Sequence, residues 1–428
     1  MNSVERFLTA LEGRQPDRVP YYEMGMDPYT LAQFLVRQDY WPNRLKNWVD
    51  KSRFYEEIVQ ASREKLNLAP SKSKTILRKV LNLDAIAGSF LEQPTSYKFA
   101  YFALKNYLST IFRLDVDGTN IFGLPGPIMR GWTTKKGKRY LVNEGYILHD
   151  IDEWANIRIA GVYYPDPETQ MEKYIESMQN YDFDGSIPFL KKLRNKFGEK
   201  KLLIPGIMGL FETWHEIFGI TNMSQFFRVL RKEAKTNSGP YLNVLDELVN
   251  FVSIFVEHIA EIGLPVIMIY EDCSVNHGPM IPAELYRKIY TPRLKKLVAA
   301  SHKHDVKVIF HTDGRMKIAR KDKPWDFMDA IVESGIDAMH GFQADVNDPV
   351  EIKKQYGHKL CIVGGISCYN VAQYAKTSQE VYRMVARVMK AYKEGGGYVA
   401  ACDNGLHWGV NVKNVRAISK AIHYYGKY

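Results

Sequence analysis

Two ionisable side chains and a glycine follow one apolar run in the second half of the sequence. The run is "DVKVIF" (305–310), and "HTDG", with His311, Asp313 and Gly314, comes directly after it. Residues two apart in a strand point to the same side of a sheet, so a strand ending here would present imidazole and carboxylate together. Gly314 would let the chain turn sharply after them. The pair is suited to acid–base chemistry or to metal binding.

Other apolar runs also end in residues that could take part in chemistry or that have unusual backbone freedom. At these run ends stand Glu271 and Asp272, His340, Gly364 and Gly365, and Cys402 and Asp403. Each has an ordinary structural explanation: a carboxylate caps a helix, a histidine is hydrogen-bonded in the core, a cysteine fills space. An imidazole, a carboxylate and a thiol at the ends of different strands nevertheless favour a functional site, because burying unpaired polar groups costs free energy.

Short apolar runs alternate with helical patterns from about residue 200 onward. The runs are 201–209, 264–272, 306–314, 336–342, 360–367 and 397–405. Their apolar residues are mostly continuous, as in parallel strands covered on both faces, and the segments between them carry apolar residues at helical spacing. The pattern predicts an α/β fold, either an open doubly wound sheet or a (β/α)8 TIM barrel. In both architectures the strand ends meet around one cavity.

The first half of the chain is less regular. Segments 17–27 and 83–90 are candidates for two more parallel strands, whereas 114–150 has the pattern of short antiparallel strands. The turns of this last stretch are expected at Gly118, Gly131 and Gly137. We interpret 114–150 as an irregular β-rich insertion in a single domain that spans 1–428. GxGxxG and P-loop motifs are absent, which removes the usual sequence signs of a nucleotide site.

Composition narrows the classes of function. The chain has 428 residues, of which 46% are hydrophobic and 25% are charged, and its net charge is +10. The basic residues form no tract that indicates nucleic-acid binding, and an anionic substrate explains the charge equally well. The four cysteines form no CxxC pair, the N-terminus lacks the apolar core of a signal peptide, and no apolar run is long enough to span a membrane. We therefore expect a cytoplasmic protein that binds neither nucleic acid nor membranes.

The order of these motifs resembles that of the uroporphyrinogen decarboxylase superfamily. "YEDCSVNHGPMIPAELYRKIYTPRLKKLV", "HTDGRM", "DPVEIKKQYGHKLCIVGGIS" and "GGYVAACDNGLHWGVNVKNV" are similar, in the same order, to its later βα units. "ERFLTALEGRQPDRVPYY" is similar to its opening. The resemblance implies a (β/α)8 barrel and one of two chemistries. These are decarboxylation of a porphyrinogen, and methyl transfer between a corrinoid on a partner protein and a small acceptor.

The N-terminal segment separates the two chemistries. Decarboxylases of the superfamily carry an arginine-rich loop there, but this chain reads "YYEMGMD", with Glu23 and Asp27 where cations are required. Anions beside a polyanionic substrate weaken its binding. The cations left to serve a decarboxylase are Arg14, Arg18, Arg130 and Arg315. The resemblance is therefore closer to the methyltransferase branch, with the decarboxylase as the alternative.

The methyltransferase branch holds zinc with a His-x-Cys pair and a later cysteine. His311 matches that histidine, Asp313 stands where the first cysteine would be, and Cys402 lies near the late cysteine. Because aspartate also ligates zinc, the resemblance implies His311, Asp313 and Cys402 as the ligands of a zinc site. Without a metal, Asp313 would instead act on the acceptor as an acid. The altered motif also leaves open a corrinoid-binding barrel without catalysis.

We expect a methyltransferase of one-carbon metabolism or demethylation. It would move a methyl group between cobalamin, carried by a corrinoid protein, and tetrahydrofolate or a thiol. In this hypothesis the catalytic residues are His311, Asp313 and Asp403, and the substrate or cofactor contacts are Glu271, Asp272, His340, Gly364 and Gly365. A homodimer is compatible with the sequence, which does not identify the methyl donor or acceptor.

Overall fold

The computed structural model describes most of the second half of the chain and parts of the first. The described residues are 1–26, 104–105, 107–121, 131–135, 138–142, 147–151, 157–162, 166–219, 222–318, 322–407 and 409–428. Their strands are β1 (Tyr21–Glu23), β2 (Gly118–Ile121), β3 (Gly131–Lys135), β4 (Lys138–Val142), β5 (Ile147–Ile151), β6 (Ile157–Val162), β7 (Leu202–Met208), β8 (Val266–Tyr270), β9 (Ser274–Val275), β10 (Gly278–Pro279), β11 (Lys307–Thr312), β12 (Ala338–Gly341), β13 (Cys361–Ile366) and β14 (Tyr398–Cys402).

The helices lie mainly between the strands of the second half. They are α1 (Ser3–Leu11), α2 (Pro167–Gln179), α3 (Phe183–Leu193), α4 (Thr213–Phe218), α5 (Met223–Thr236), α6 (Pro240–Glu261), α7 (Ala283–Ile289), α8 (Thr291–Lys303), α9 (Asp326–Val332), α10 (Pro349–Tyr356), α11 (Ser378–Tyr392) and α12 (Val412–Tyr425). Short 3-10 and π turns occupy Phe112–Leu114, Arg194–Gly198 and Cys368–Gln373. Among the helices described, none is both long and apolar enough to cross a membrane.

Eight parallel strands close into a barrel. Their order around it is β1-β14-β13-β12-β11-β8-β7-β2. The predicted (β/α)8 barrel is therefore confirmed, and the open doubly wound sheet is excluded. Because all eight strands run in the same direction, their carboxyl ends meet at one end of the barrel, where the functional groups of such folds lie.

Alternate residues of each barrel strand face opposite layers. Val266, Met268 and Ile309 belong to a cluster that fills the barrel interior. Their neighbours Ile267 and Phe310 pack in the outer layer with the helices. This alternation decides where a polar side chain at a strand end points. His311 and Asp313 continue the inward series of Ile309.

Capping side chains fix the residues at which several βα loops end and helices begin. These loops lie at the carboxyl end of the barrel, here called the mouth. Asp348 accepts hydrogen bonds from the first amides of α10, Thr377 from an amide of α11, and Asn411 from an amide of α12. Each such cap contributes about 1 kcal/mol to helix stability. The βα loops after β12, β13 and β14 therefore end at defined residues.

The predicted insertion 114–150 is corrected by the structure. Gly118 does not form a turn but begins β2, a barrel strand, where it pairs with Leu202 of β7. A Cβ there would lie only 3.2 Å from Leu202 and Phe7, so a glycine suits this close packing. The antiparallel sheet consists of β3, β4, β5 and β6, so it starts at Gly131 and extends beyond 150 to Val162. Segment 17–27 contributes β1 as predicted. Segment 83–90 and Gly137 lie outside the described residues.

Candidate functional site

Three side chains converge at the carboxyl end of the barrel. Asp272 follows β8, and His311 and Asp313 lie at the end of the neighbouring strand, β11. Their ligand atoms all lie within 4.8 Å of one another. The Nε2 atom of His311 is 3.8 Å from Oδ1 of Asp272 and 4.0 Å from Oδ1 of Asp313. These distances are too long for hydrogen bonds, so the three groups, here called the Asp–His–Asp cluster, surround a common point without bonding to one another.

His340 fixes the tautomer of His311. Nε2 of His340 lies 3.0 Å from the carbonyl oxygen of Cys402, and because a carbonyl only accepts, this nitrogen carries the proton. The Nδ1 atom of His340 is then a lone pair, and Nδ1 of His311, 2.8 Å away, donates to it. Burial lowers the pKa of His311 to about 4, so the ring is neutral at physiological pH. His311 therefore presents an unprotonated Nε2 to the two aspartates.

Two carboxylate oxygens of the cluster are buried without a partner. The Oδ1 atoms of Asp272 and Asp313 accept no hydrogen bond from the described part of the chain. The other oxygen of Asp313 accepts a hydrogen bond from the side-chain amide of Asn404. The side chain of Asp272 as a whole is 47% exposed, so the cluster is accessible from the barrel mouth. Three acceptors facing one point are satisfied together only by a cation or by added protons.

The carboxyl groups of the cluster are poised to bind protons or a cation. Burial raises the pKa of Asp272. Burial also raises the pKa of Asp313 well above its usual range, and the neighbouring charges of Asp272 and Asp403 raise it further. Burial and the neighbouring charges both favour the protonated carboxyl groups over the charged carboxylates. A bound cation would instead favour the charged carboxylates.

The donor set suits a divalent cation. Imidazole nitrogen and carboxylate oxygen are common ligands of Zn²⁺ and of related divalent ions, and three protein ligands leave a coordination position open for a substrate. A metal-binding histidine almost always donates its other N–H to a fixed acceptor, which here is His340. We conclude that Asp272, His311 and Asp313 are able to hold such an ion.

Cys402 does not belong to the cluster, which corrects the predicted ligand set of His311, Asp313 and Cys402. Cys402 lies with Tyr398 and Ala400 on the face of β14 that packs against the outer layer. Val399 and Ala401 face the interior instead. The third member of the cluster is Asp272 instead. Cys402 contributes only its carbonyl oxygen, through His340.

Glu271 has a structural environment although it adjoins Asp272. Its carboxylate accepts hydrogen bonds from the amides of Leu210 at 2.8 Å, Phe211 at 2.6 Å and Glu212 at 3.2 Å. The side chain is fully buried, and this burial raises its pKa to about 8. Both oxygens are used by the loop before α4, so these contacts do not support the predicted role as a substrate contact.

Replacing Glu271 with glutamine is expected to lower the free energy of unfolding by about 2 kcal/mol, because an NH₂ group would then face buried amide donors. The measurement is urea unfolding followed by circular dichroism. Glu257→Gln, on the exposed face of α6, is the matched control and should change stability very little. Equal stability of Glu271→Gln and the parent protein would contradict the structural role.

Asp403 and the two glycines also serve the backbone near the mouth. Asp403 accepts hydrogen bonds from the amides of Cys368 at 2.8 Å and Ala344 at 3.3 Å, which join the loops after β12, β13 and β14. Burial raises its pKa to about 7, but both of its oxygens are engaged. Gly364 and Gly365 have φ values of 119° and 84°, which favour glycine. A Cβ on Gly364 would lie 2.7 Å from the carbonyl oxygen of Gly341, on the adjacent strand.

A polar aromatic layer lies inside the barrel beside the two histidines. The hydroxyl of Tyr22 donates to Asn120, whose amide donates to the hydroxyl of Tyr270. The ring of Tyr22 packs edge-on against that of His340, with 5.4 Å between the ring centroids. The ring of Tyr270 packs in the same way against that of His311, with 5.9 Å between the centroids. These contacts hold both imidazole rings in place. This layer was not predicted from the sequence, although inward alternation from Met268 identifies Tyr270.

Two of the four cations considered for a decarboxylase lie far from the mouth. Arg14 pairs with Glu12 after α1, and Arg18 pairs with Asp117 before β2, so both lie at the amino-terminal end of the barrel. Arg315 is near the mouth, where its Nε donates to a carbonyl oxygen of the loop between β9 and β10. Arg130 and Asp27 lie outside the described residues.

One family model and one solved structure agree with the barrel. The family model described as Uroporphyrinogen decarboxylase (URO-D) matches residues 163–425. A methyltransferase from Methanosarcina mazei superposes with a TM-score of 0.58 at 14% identity over 99% of both chains, which shows a shared fold. A B12-independent methionine synthase from Shewanella sp. W3-18-1 gives a TM-score of 0.42 at 10% identity, over 76% of this chain and 86% of that one. No curated protein sequence matches this chain.

Proposed function

Because the chain belongs to the uroporphyrinogen decarboxylase family, we propose that it is a methyltransferase whose Asp–His–Asp cluster holds a divalent cation. The methyl group would pass between a cobalamin carried by a corrinoid protein and a small acceptor, either tetrahydrofolate or a thiol. The observation that carries the proposal is the convergence of three acceptor atoms, two of them buried and unpartnered, on one point.

Each part of the site has a defined task in this proposal. A divalent cation bound there would lower the pKa of the acceptor group that receives the methyl. Asp272, His311 and Asp313 hold the cation, and Asn404 orients Asp313. His340 keeps the proton of His311 on Nδ1, away from the cation. The recessed position at the barrel end would limit the access of water to the reacting atoms.

The charge of the mouth argues against the decarboxylase. Glu212, Asp272, Asp313 and Asp403 are close enough to influence one another electrostatically. A porphyrinogen carries many carboxylates, and these four side chains offer them no cation in either protonation state. A barrel that only bound a corrinoid would not need buried carboxylate oxygens without partners, since these cost stability. Catalytic methyl transfer accounts for the cluster best.

Metal analysis followed by activity assays tests the proposal. The purified protein is expected to bind about one divalent cation at the cluster and to demethylate methylcobalamin in the presence of tetrahydrofolate or a thiol. The absorbance change of the cobalamin reports the reaction. Formation of coproporphyrinogen from uroporphyrinogen, without methyl transfer, would instead establish the decarboxylase. Protein that binds a corrinoid but neither a cation nor an acceptor would support the non-catalytic barrel.

Cation affinity should fall as the pH is lowered. The pKa values of Asp272 and Asp313 are raised, so below those values each carboxyl binds a proton that the cation must displace. The pKa of His311, about 4, is too low for that ring to contribute above about pH 5. Calorimetric titration with Zn²⁺ between about pH 5 and about pH 8 measures the effect. Asp313→Asn should bind more weakly with a shallower pH dependence, and a pH-independent affinity of the parent protein would contradict the assignment of the aspartates.

A further inference from the structure

A second pair of ionisable side chains lies beside the Asp–His–Asp cluster. Glu212 and His215 stand at the start of α4, in the loop after β7, the strand adjacent to β8 in the barrel. Nδ1 of His215 is hydrogen-bonded to Oε1 of Glu212. The other oxygen of Glu212 accepts the amide N–H of Asp272 at 3.2 Å. One carboxylate thus connects the imidazole of His215 to a residue of the cluster.

The pair is held in place by its surroundings. The amide of Glu212 donates to Glu271 at 3.2 Å, and the ring of Trp214 packs against that of His215 with 4.0 Å between their centroids. The side chains of Glu212 and His215 are 13% and 19% exposed, so both are recessed but reachable. Within the part of the chain that the structure describes, Nε2 of His215 has no hydrogen-bond partner.

Methyl transfer to either acceptor class releases one proton. As the methyl carbon forms its bond to sulfur or nitrogen, the carbon–cobalt bond breaks and cobalt keeps the electron pair. The acceptor's S–H or N–H proton must then leave, and the reverse reaction must return it. A histidine whose Nδ1–H is bonded to a carboxylate has its Nε2 lone pair ready to accept such a proton.

We propose that His215 accepts this proton through Nε2 and that Glu212 positions its ring. The inference rests on the proposed methyl transfer, and it adds a proton-handling site that is separate from the cation ligands. It applies equally to a thiol and to tetrahydrofolate, because both lose a proton when methylated. Glu212 acts through His215, so its removal should have the smaller effect.

The test uses His215→Gln and Glu212→Gln in the full-length protein, with methylcobalamin and either tetrahydrofolate or a thiol. His215→Gln is expected to reduce kcat by about 100-fold and Glu212→Gln by about tenfold. Zn²⁺ affinity, measured by calorimetry, should stay within about twofold of the parent protein for His215→Gln, since His215 is not a cation ligand. Added imidazole should restore activity to His215→Ala, which a purely structural role would not allow.

The chain offers a matched control in His258 and Glu261 of α6. This pair has the same three-residue spacing, with 3.8 Å between Nδ1 and Oε2, but the two side chains are 36% and 68% exposed. His258→Gln should leave both kcat and Zn²⁺ affinity unchanged. Unfolding temperatures of all variants separate loss of folding from loss of chemistry, and His215→Asn replaces His215→Gln if the latter does not fold.

The outcomes distinguish this inference from the proposed function. If the parent protein transfers methyl groups and His215→Gln does so at the same rate, the proton role of His215 is wrong while the methyltransferase stands. If the parent protein binds Zn²⁺ but transfers no methyl group to either acceptor, the proposed function fails, and the role of His215 fails with it. A loss of Zn²⁺ binding in His215→Gln would also overturn the inference, because it would show that the residue supports the cluster.

Discussion

Replacing His311 with alanine is expected to abolish measurable cation binding and to reduce methyl transfer by more than about 100-fold, since even loss of a ligand's outer partner costs 10–100-fold. His311 supplies the nitrogen donor of the Asp–His–Asp cluster. Without it, the two aspartates face each other in a partly buried site where both carboxyl pKa values are already raised, so they would retain protons in place of a cation. Calorimetry with Zn²⁺ and the methylcobalamin assay measure both effects.

His302 provides the control for this substitution. It is also a histidine beside an aspartate, with 2.7 Å between its Nε2 and Asp337, but it is 41% exposed and lies at the end of α8, before β11. His302→Ala should bind Zn²⁺ and transfer methyl groups like the parent protein. If His311→Ala and Asp313→Ala both kept full activity, the catalytic site would have to lie elsewhere, whatever the reaction.

Much of the barrel could be predicted from the sequence because buried parallel strands consist of continuous runs of apolar residues. The run 264–272 contains β8 (Val266–Tyr270), and 306–314 contains β11 (Lys307–Thr312). The polar residues that end these runs then lie at the same end of the barrel, because the strands are parallel. Asp272, His311 and Asp313 were therefore identifiable as a group, although not as three ligands of one site.

The predicted ligand role of Cys402 was wrong because its side chain lies on the outer face of its strand. Its position at the end of a predicted strand was correct, but only the alternation of Val399 and Ala401 with Cys402 shows which face points inward. Sequence similarity to a late cysteine carries no information about this alternation. A one-residue difference in register is sufficient to move a side chain from the cavity to the outer layer.

Other parts of the site depend on contacts between distant segments. "GTNI" of β2 contains a glycine and an asparagine, which are uncommon in strands, yet it forms a barrel strand in which Asn120 bonds to Tyr22 and Tyr270. The pairing of His311 with His340 depends on the register between β11 and β12. Glu212 and His215 lie on a loop and a short helix, where no periodic pattern marks a functional residue. These relations come from the closed barrel and not from local sequence.

His340→Ala is expected to weaken Zn²⁺ binding by up to about 100-fold, although His340 contributes no atom to the cluster. Its lone pair accepts the Nδ1 proton of His311, and without it that proton can move to Nε2, where it would compete with the cation. His340→Gln keeps a side-chain oxygen to accept from His311 and an NH₂ group to donate to the carbonyl of Cys402, so it should recover most of the affinity. Calorimetry on both variants separates the two causes: recovery by glutamine assigns the effect to the proton, whereas equal losses would assign it to the lost packing against Tyr22. Unchanged affinity in His340→Ala would show that the tautomer of His311 does not control the site.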